Sequence, residues 1–508
     1  MKNTEICLYT FAKNANLKTG KAIFLFCLLT AGFCLQAFAQ TPATTAAADA
    51  AEQRGRAFVE AINSNNRMTW RKFISENFAK AALERVPIEE RLNNFARIYD
   101  QTRGFNLQTA RRTKPNEVVL SVKGNLTGIG MELMFMVDEE SPFYLRGIGM
   151  RPPETPQPSG KKLSDKEVIA ELDDFLKKVS AADVFSGAVL VAKGDNVLFE
   201  KAYGEANKDF KALNNAGTKF NLGSMNKMFT SVAIAQLVEA GKLSFDDSLS
   251  KFMPDFPDKE AAEKIKIKHL LSHTSGLGNY FNRTFMESSR ARFRTIDDFL
   301  ALAKDEKMQF EPGSRWQYSN TGMLVLGKVI EKASGQNYYD YIRENIYKKA
   351  GMTSSDAYDL DNVNPNLAVG YEKDFTEQGA VFRNNIFMHV IRGGPAGGGY
   401  STVGDLLRFA RALQSGKLVG REYVKLLTSP KPELNSPNYG YGFGVGANPA
   451  TTGHSGGFPG ISSELIIFTD SDYTAVVLSN YGGGSQSVTA KIRALVQSCA
   501  DCQTAAKN

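Results

Sequence analysis

Phe220-Asn221-Leu222-Gly223-Ser224-Met225-Asn226-Lys227 is the stretch on which the reading of this chain turns. It closes a short apolar, strand-like run and opens a helical one that continues through Met228, Phe229, Val232, Ile234, Ala235, Leu237 and Val238. A serine hydroxyl is a weak nucleophile until a base takes its proton. A lysine three residues on lies along the same helical face and within reach. A helix N-terminus also presents unpaired N–H groups and a positive dipole end, which favour developing negative charge. A nucleophile placed there has half an oxyanion hole in the backbone. Serine fills helix N-caps without any chemistry as well. Ser-x-x-Lys recurs at Ser159/Lys162, in a Pro/Gly-rich stretch, and at Ser248/Lys251, in a polar one. Only Ser224 has the strand-to-helix setting.

Two further segments carry chemistry. Tyr318-Ser319-Asn320 follows Glu311-Pro312-Gly313-Ser314-Arg315-Trp316 and leads into apolar Met323-Leu324-Val325-Leu326. A phenol near Ser224 and Lys227 can relay the serine proton to a leaving group, and Asn320 can hold Lys227 and a substrate amide. Tyr280-Phe281-Asn282 is a rival for this role, but the Pro-Gly turn presents Tyr318 at the edge of a packed element. The third segment is His454-Ser455-Gly456-Gly457, ahead of strand-like Ile461–Phe468, a turn at Asp470-Ser471-Asp472, and Tyr473–Leu478. The pattern predicts an antiparallel hairpin. Glycines in a strand are costly unless something approaches the backbone closely, and a substrate acyl group beside Gly456 and Gly457 is the expected visitor. A Gly-rich turn with an incidental histidine is the plainer alternative.

Taken in order, Ser-x-x-Lys, Tyr-x-Asn and His-Ser-Gly resemble the serine β-lactamase and penicillin-binding-protein superfamily, nearest to class C β-lactamases, serine DD-peptidases and related esterases. His269–Leu277, the Glu311-Pro312-Gly313 turn and Gly393–Ser401 are similar to lesser signatures of that family. The resemblance spans roughly residues 165 to 498. It implies that Ser224 is acylated, that Lys227 shares in removing its proton, and that Tyr318 shuttles protons in acylation and deacylation. The base is either Lys227 or Tyr318, since base assignments are disputed across this superfamily. Asn320 would contact the substrate amide, with His454, Ser455 and Gly456 forming the third motif. The backbone N–H groups of Ser224 and Gly457 would form the oxyanion hole. Many β-lactamases carry lysine where this chain has His454. An unperturbed histidine titrates near pH 6.5, so carboxylate binding is expected to weaken as pH rises through the His454 pKa. That shifts the expectation from β-lactam hydrolysis toward a carboxypeptidase- or esterase-like role. A non-enzymatic envelope- or penicillin-binding protein with a degenerate fold is the competing reading.

The rest of the sequence bounds these readings. With 508 residues, 43% hydrophobic and 23% charged, the chain has ample material for a core and length for more than one domain. Lys13, Lys18 and Lys21 precede an apolar run from Ala22 to Leu35, and Ala37-Phe38-Ala39 has the small-x-small form of a signal peptidase site. Cleavage before Gln40 and export to the periplasm or medium are expected, leaving no stable membrane span. Losing that leader removes four lysines and one glutamate and takes the net charge from +7 to about +4, without a basic stripe for nucleic acid. Two of five cysteines, Cys499 and Cys502, remain, as a tail-end disulfide or free thiols. His269 and His273 stand four apart, but a catalytic zinc needs a third ligand that the spacing does not supply, so neither metal nor cofactor is expected. The partner is a small-molecule or peptide substrate, peptidoglycan-derived peptides included.

The order of elements predicts an α+β chain. Thr41–Ala51 reads as an Ala/Thr-rich spacer. Helices follow over about 52–99, then strand-like Glu117–Val122, Met131–Val137 and Phe143–Leu145. Residues 40–150 are expected to form a small α+β domain, somewhat like the nuclear-transport-factor-like fold in pattern. A Pro-rich linker covers 151–164, a β-lactamase/transpeptidase-like domain with an antiparallel sheet flanked by helices covers 165–498, and a tail covers 499–508. Ser354–Gly399 reads as loop-rich and is expected to wall the substrate cleft.

Overall fold

Alternation along three strands sets the centre of the fold, seen in a computed structural model that describes residues 42–153, 162–377 and 379–499. On Gly187–Lys193, Ala188, Leu190 and Ala192 face one core while Val189 and Val191 face another. Leu465 and Ile467 against Ile466 and Phe468 repeat the pattern on Ile461–Phe468, as do Val476 and Leu478 against Ala475 and Val477 on Tyr473–Ser479. Successive strand side chains point to opposite faces, so a run apolar at every position belongs to a sheet covered on both sides. The sheet has six antiparallel strands, in the order Gly444–Ala447, Ala450–Phe458, Ile461–Phe468, Tyr473–Ser479, Gly187–Lys193, Asn196–Tyr203. The hairpins expected near residues 186–199 and 461–478 thus pair side by side.

Helices Asp165–Ala181 and Ser485–Gln497 cover one face of this sheet. The first starts at a reciprocal capping box between Ser164 and Glu167. On the other face lie Asn226–Glu239, Asn320–Ser334 and Val403–Gln414. Asn226–Glu239 is buried from Asn226 through Leu237, as a helix apolar all round must be. It is the axis against which the site is built.

The N-terminal α+β region has four helices, Pro42–Asn63, Arg67–Asn77, Lys80–Arg85 and Ile88–Thr102, packed on a sheet of Phe105–Lys114, Glu117–Gly124, Gly130–Val137 and Leu145–Arg151 in sequence order. The spacer expected at Thr41–Ala51 is helical from Pro42, because alanine is the strongest helix former, and Ala47 and Ala51 pack into the core. Phe105–Lys114 is a strand the period missed: it is a mostly exposed edge whose polar residues show no alternation. This region meets the rest of the chain through Asp100 and Lys373, paired at 2.8 Å with little exposure on either side, and through Phe375, partly buried against its core. Lys373 and Phe375 belong to a hairpin, Tyr371–Thr376 with Gly379–Asn384, inside the stretch expected to be loop. The expected leader, the linker's 154–161 and Cys502 lie outside the described residues. Cys499 is disulfide-bonded, with its partner beyond them.

Candidate active site

The Ser224 turn is held by backbone from three directions. Phe220–Asn221 pairs antiparallel with Tyr400–Ser401. Leu222 N–H donates to the Gly399 carbonyl at 2.7 Å, and Gly398 N–H to the Gly223 carbonyl at 3.1 Å. Gly223 turns the chain at φ +51°, a conformation glycine adopts without penalty. Its missing Cβ would stand 2.9 Å from the Gly457 nitrogen, so the turn and the His454 strand lie backbone to backbone. A single 3-10 turn, Gly223–Met225, carries Ser224, and the α-helix starts at Asn226. Neither helix start takes a side-chain capping bond, so Ser224 is not spent as a cap.

Lys227 is fully buried one turn along. Its Nζ donates to Asn320 Oδ1 at 2.8 Å and to the Ala396 carbonyl. Both acceptors are neutral, and burial pushes the amine well below its ordinary pKa. Tyr318 places its ring centre 4.8 Å from that Nζ. Burial raises the phenol above its ordinary range, and the Ser224 side chain opposes the rise. Asn320 opens the helix Asn320–Ser334, behind a Ser319 cap that accepts Gly322 N–H at 2.8 Å. Its Nδ2 donates to Asn279 Oδ1 at 3.2 Å. Lys227, Tyr318 and Asn320 therefore form one cluster beside the Ser224 turn.

The His454 strand supplies the opposite wall. Ser455 and Gly457 are exposed along it while His454 and Gly456 point inward. A Cβ on Gly456 would meet the Leu222 carbonyl at 1.9 Å, whereas one on Gly457 would meet nothing within 4 Å. The close approach expected at both glycines is therefore divided: the chain's own nucleophile turn fills it at Gly456, and open space faces Gly457. His454 corrects a second expectation. Its Nε2 meets the Tyr439 hydroxyl at 2.8 Å and its Nδ1 the Ser455 carbonyl at 2.5 Å. A carbonyl only accepts, so Nδ1 carries the proton and Nε2 accepts from Tyr439. Burial drives the His454 pKa to about 3, with nearby Lys227 adding to the fall. The ring stays neutral from pH 5 to 8, and no carboxylate clamp titrates there.

The rival motifs lead elsewhere. Lys251 is an exposed partner of Asp247, and Ser248 bonds Ser250. Ser159 lies outside the described residues. Tyr280 is buried among Phe281, Phe285 and Phe299, and Asn282 caps Arg283–Glu287. His269 accepts Lys266 N–H at 3.2 Å and closes a helix start. Among the described residues no group of three or more His, Cys, Asp or Glu is placed to hold a metal, and no helix is long and apolar enough to cross a membrane.

Sequence reasoning missed several neighbours of the cluster. The Ala396 carbonyl reaches Lys227 from the Gly393–Ser401 segment, a role no side chain announces. Tyr439 sits in Asn438-Tyr439-Gly440-Tyr441-Gly442-Phe443, whose aromatic and glycine alternation was the available signal. Trp316, 41% exposed, stands at the rim with its ring 6.4 Å from Tyr318 and 6.5 Å from Tyr439.

Comparison with known proteins places this arrangement in context. The family model described as Beta-lactamase matches residues 171–499. A penicillin-binding protein of Bacillus subtilis (strain 168) is 32% identical over 314 residues, covering 58% of this chain and 68% of that protein. The crystal structure of a penicillin-binding protein from Bacillus halodurans superposes with a TM-score of 0.57 at 30% identity, over 65% of this chain and 99% of that one. A D-stereospecific amidohydrolase from Streptomyces sp. gives 0.52 at 25% identity, over 63% and 97%.

Proposed function

The chain belongs to the beta-lactamase family, among the serine β-lactamases and penicillin-binding proteins, and from the chemistry of its cleft we propose that it is a serine hydrolase working through an acyl-enzyme on Ser224. The observation that carries this is a buried amine, pushed well below its ordinary pKa and lying against a phenol, one turn from a serine that serves as no helix cap. Ser224 Oγ attacks a carbonyl, and its proton passes to the Tyr318–Lys227 pair. The backbone N–H groups of Ser224 and Gly457 receive the oxyanion. Tyr318 then returns the proton to the leaving group, and water releases the acyl chain by the same route. Asn320 keeps Lys227 in place and faces the substrate amide. Ser455 and Gly456 complete the strand along which the acyl group lies.

The state of His454 narrows the substrate. A neutral ring bonded to Tyr439 offers no charge to a carboxylate. We therefore place esters and amides without a carboxylate beside the scissile bond ahead of β-lactams and carboxy-terminal peptides. The likeness to a D-stereospecific amidohydrolase favours D-aminoacyl amides among them. Export follows from the leader-like first 39 residues, and peptides from the cell envelope fit that location. Residues 40–150 are assigned to packing or binding beside the hydrolase.

Hydrolysis of p-nitrophenyl butyrate, D-phenylalanine amide, benzylpenicillin and acetyl-D-alanyl-D-alanine by the wild type and by Ser224→Ala tests the reading. The first two are expected to be cleaved faster than the last two, and by the wild type alone. Equal turnover by Ser224→Ala removes the acyl-enzyme mechanism, and a preference for the carboxylate-bearing pair removes the substrate assignment.

A further inference from the structure

His273 holds the Tyr318 segment on both sides of the tyrosine. Its carbonyl accepts Gln317 N–H at 2.9 Å, and its Nδ1 accepts Ser319 N–H at 3.2 Å. Its ring lies 4.3 Å from the Tyr318 ring centre and 4.7 Å from that of Tyr439. Tyr439 in turn bonds His454. One imidazole thus touches the Tyr318 segment directly and the His454 strand through a single intermediary.

Two features of His273 work against stability. The residue is fully buried at φ +59°, a conformation uncommon outside glycine although histidine adopts it more readily than most side chains. Because Nδ1 accepts a backbone N–H, the ring proton sits on Nε2, and Nε2 is buried without a hydrogen-bond partner among the described residues. An apolar ring would avoid that unpaired donor, but it could not accept Ser319 N–H. Backbone strain of this kind persists where the surroundings over-determine it, and it clusters at functional sites.

We propose that His273 is a positioning residue which sets the Tyr318 phenol against Ser224 and couples the Tyr318 segment to the His454 strand through Tyr439. The proposal rests on the acyl-enzyme reading above. Tyr318 is assigned the return of a proton to the leaving group, so its misplacement matters most where the leaving group is a poor one. A p-nitrophenolate departs without help, whereas an alkoxide does not.

The experiment compares kcat/KM for the p-nitrophenyl and ethyl esters of butyric acid, two substrates that form the same acyl-enzyme. His273→Phe keeps a ring but loses the acceptor for Ser319 N–H. It is expected to lower the ethyl ester value roughly 30-fold and the p-nitrophenyl value about 3-fold, within the span of general acid catalysis. His273→Asn places a carboxamide oxygen near the position of Nδ1 and tolerates positive φ. It is expected to stay within about 5-fold of wild type on both esters. His273→Gln moves the acceptor one bond outward and reports the same ratio should the phenylalanine variant fail to fold. Equal losses on the two esters overturn the proposal, because a general loss of structure lowers both alike. Ser224→Ala run beside them separates the two readings. If it is inactive while His273→Phe shows no leaving-group selectivity, this proposal alone falls. If it keeps wild-type activity, the acyl-enzyme reading falls and takes this one with it.

Discussion

The two walls of the cleft are built from different materials. The helical wall brings side chains together: Lys227, Tyr318 and Asn320, each buried or partly buried, with Lys227 bonded to Asn320 and lying against the Tyr318 ring. The sheet wall brings backbone, since Gly456 lets the strand close on the Leu222 carbonyl and Gly457 leaves its outer side open. Its one titratable side chain, His454, is turned inward and bonded away. In the proposed mechanism the chemistry that moves protons belongs to the helical side, and the sheet supplies shape and fixed dipoles. A mutation in either wall should leave a different signature.

The largest effect is expected on the helical side. Lys227→Met removes the buried amine but keeps an apolar stem in a helix that is buried all round. It should lower kcat/KM by about 10²–10⁴-fold, while circular dichroism and the melting temperature show a folded protein. A variant with near wild-type turnover would mean that Tyr318 works without Lys227.

The sheet side is sharper when its two glycines are compared. Gly456→Ala forces a methyl group onto the Leu222 carbonyl, and overpacking of this kind costs about 1–3 kcal/mol or more. Melting temperature and activity should fall together, because the nucleophile turn is displaced. Gly457→Ala meets no protein atom within 4 Å. Its melting temperature should match wild type while its methyl group lowers activity by roughly tenfold from within the cleft. Identical behaviour of the two variants in a thermal melt and an ester assay would break the distinction between the walls.

The smallest effect is a matter of pH. His454 falls from its ordinary 6.5 to about 3 in the fold, so its charge does not change between pH 5 and 8 and the KM for a carboxylate-bearing substrate should be flat there. The same shift has a sign for stability. Below about pH 6.5 the unfolded chain takes up a proton that the folded chain refuses, so stability is full above that pH and is lost as pH falls toward 3. Melting temperature should drop on acidification, less steeply in His454→Gln. A KM that doubles or more across pH 5 to 8 would restore a titrating clamp.

The same contrast explains what could be read from the sequence. The grouping of Lys227, Tyr318 and Asn320 beside Ser224 was legible because side-chain chemistry at fixed spacing is written in residue names. The central sheet was legible because strands covered on both faces are apolar throughout. Four things were not. The neutral state of His454 depends on Tyr439 and on burial, which only tertiary packing sets. The Ala396 carbonyl that holds Lys227 is backbone, and any residue would supply it. The first turns of the helix from Pro42 and the edge strand Phe105–Lys114 carry no apolar period, one because alanine is helical without it and the other because most of the strand faces solvent.

The most direct measurement traps the acyl-enzyme. The full chain and Ser224→Ala are each mixed with p-nitrophenyl butyrate, quenched in acid during turnover, and weighed intact, with the modified peptide then sequenced. The account predicts one butyryl group on the wild type, carried by Ser224, and none on the variant. A butyryl group on another residue, or turnover by Ser224→Ala at the wild-type rate, would contradict it.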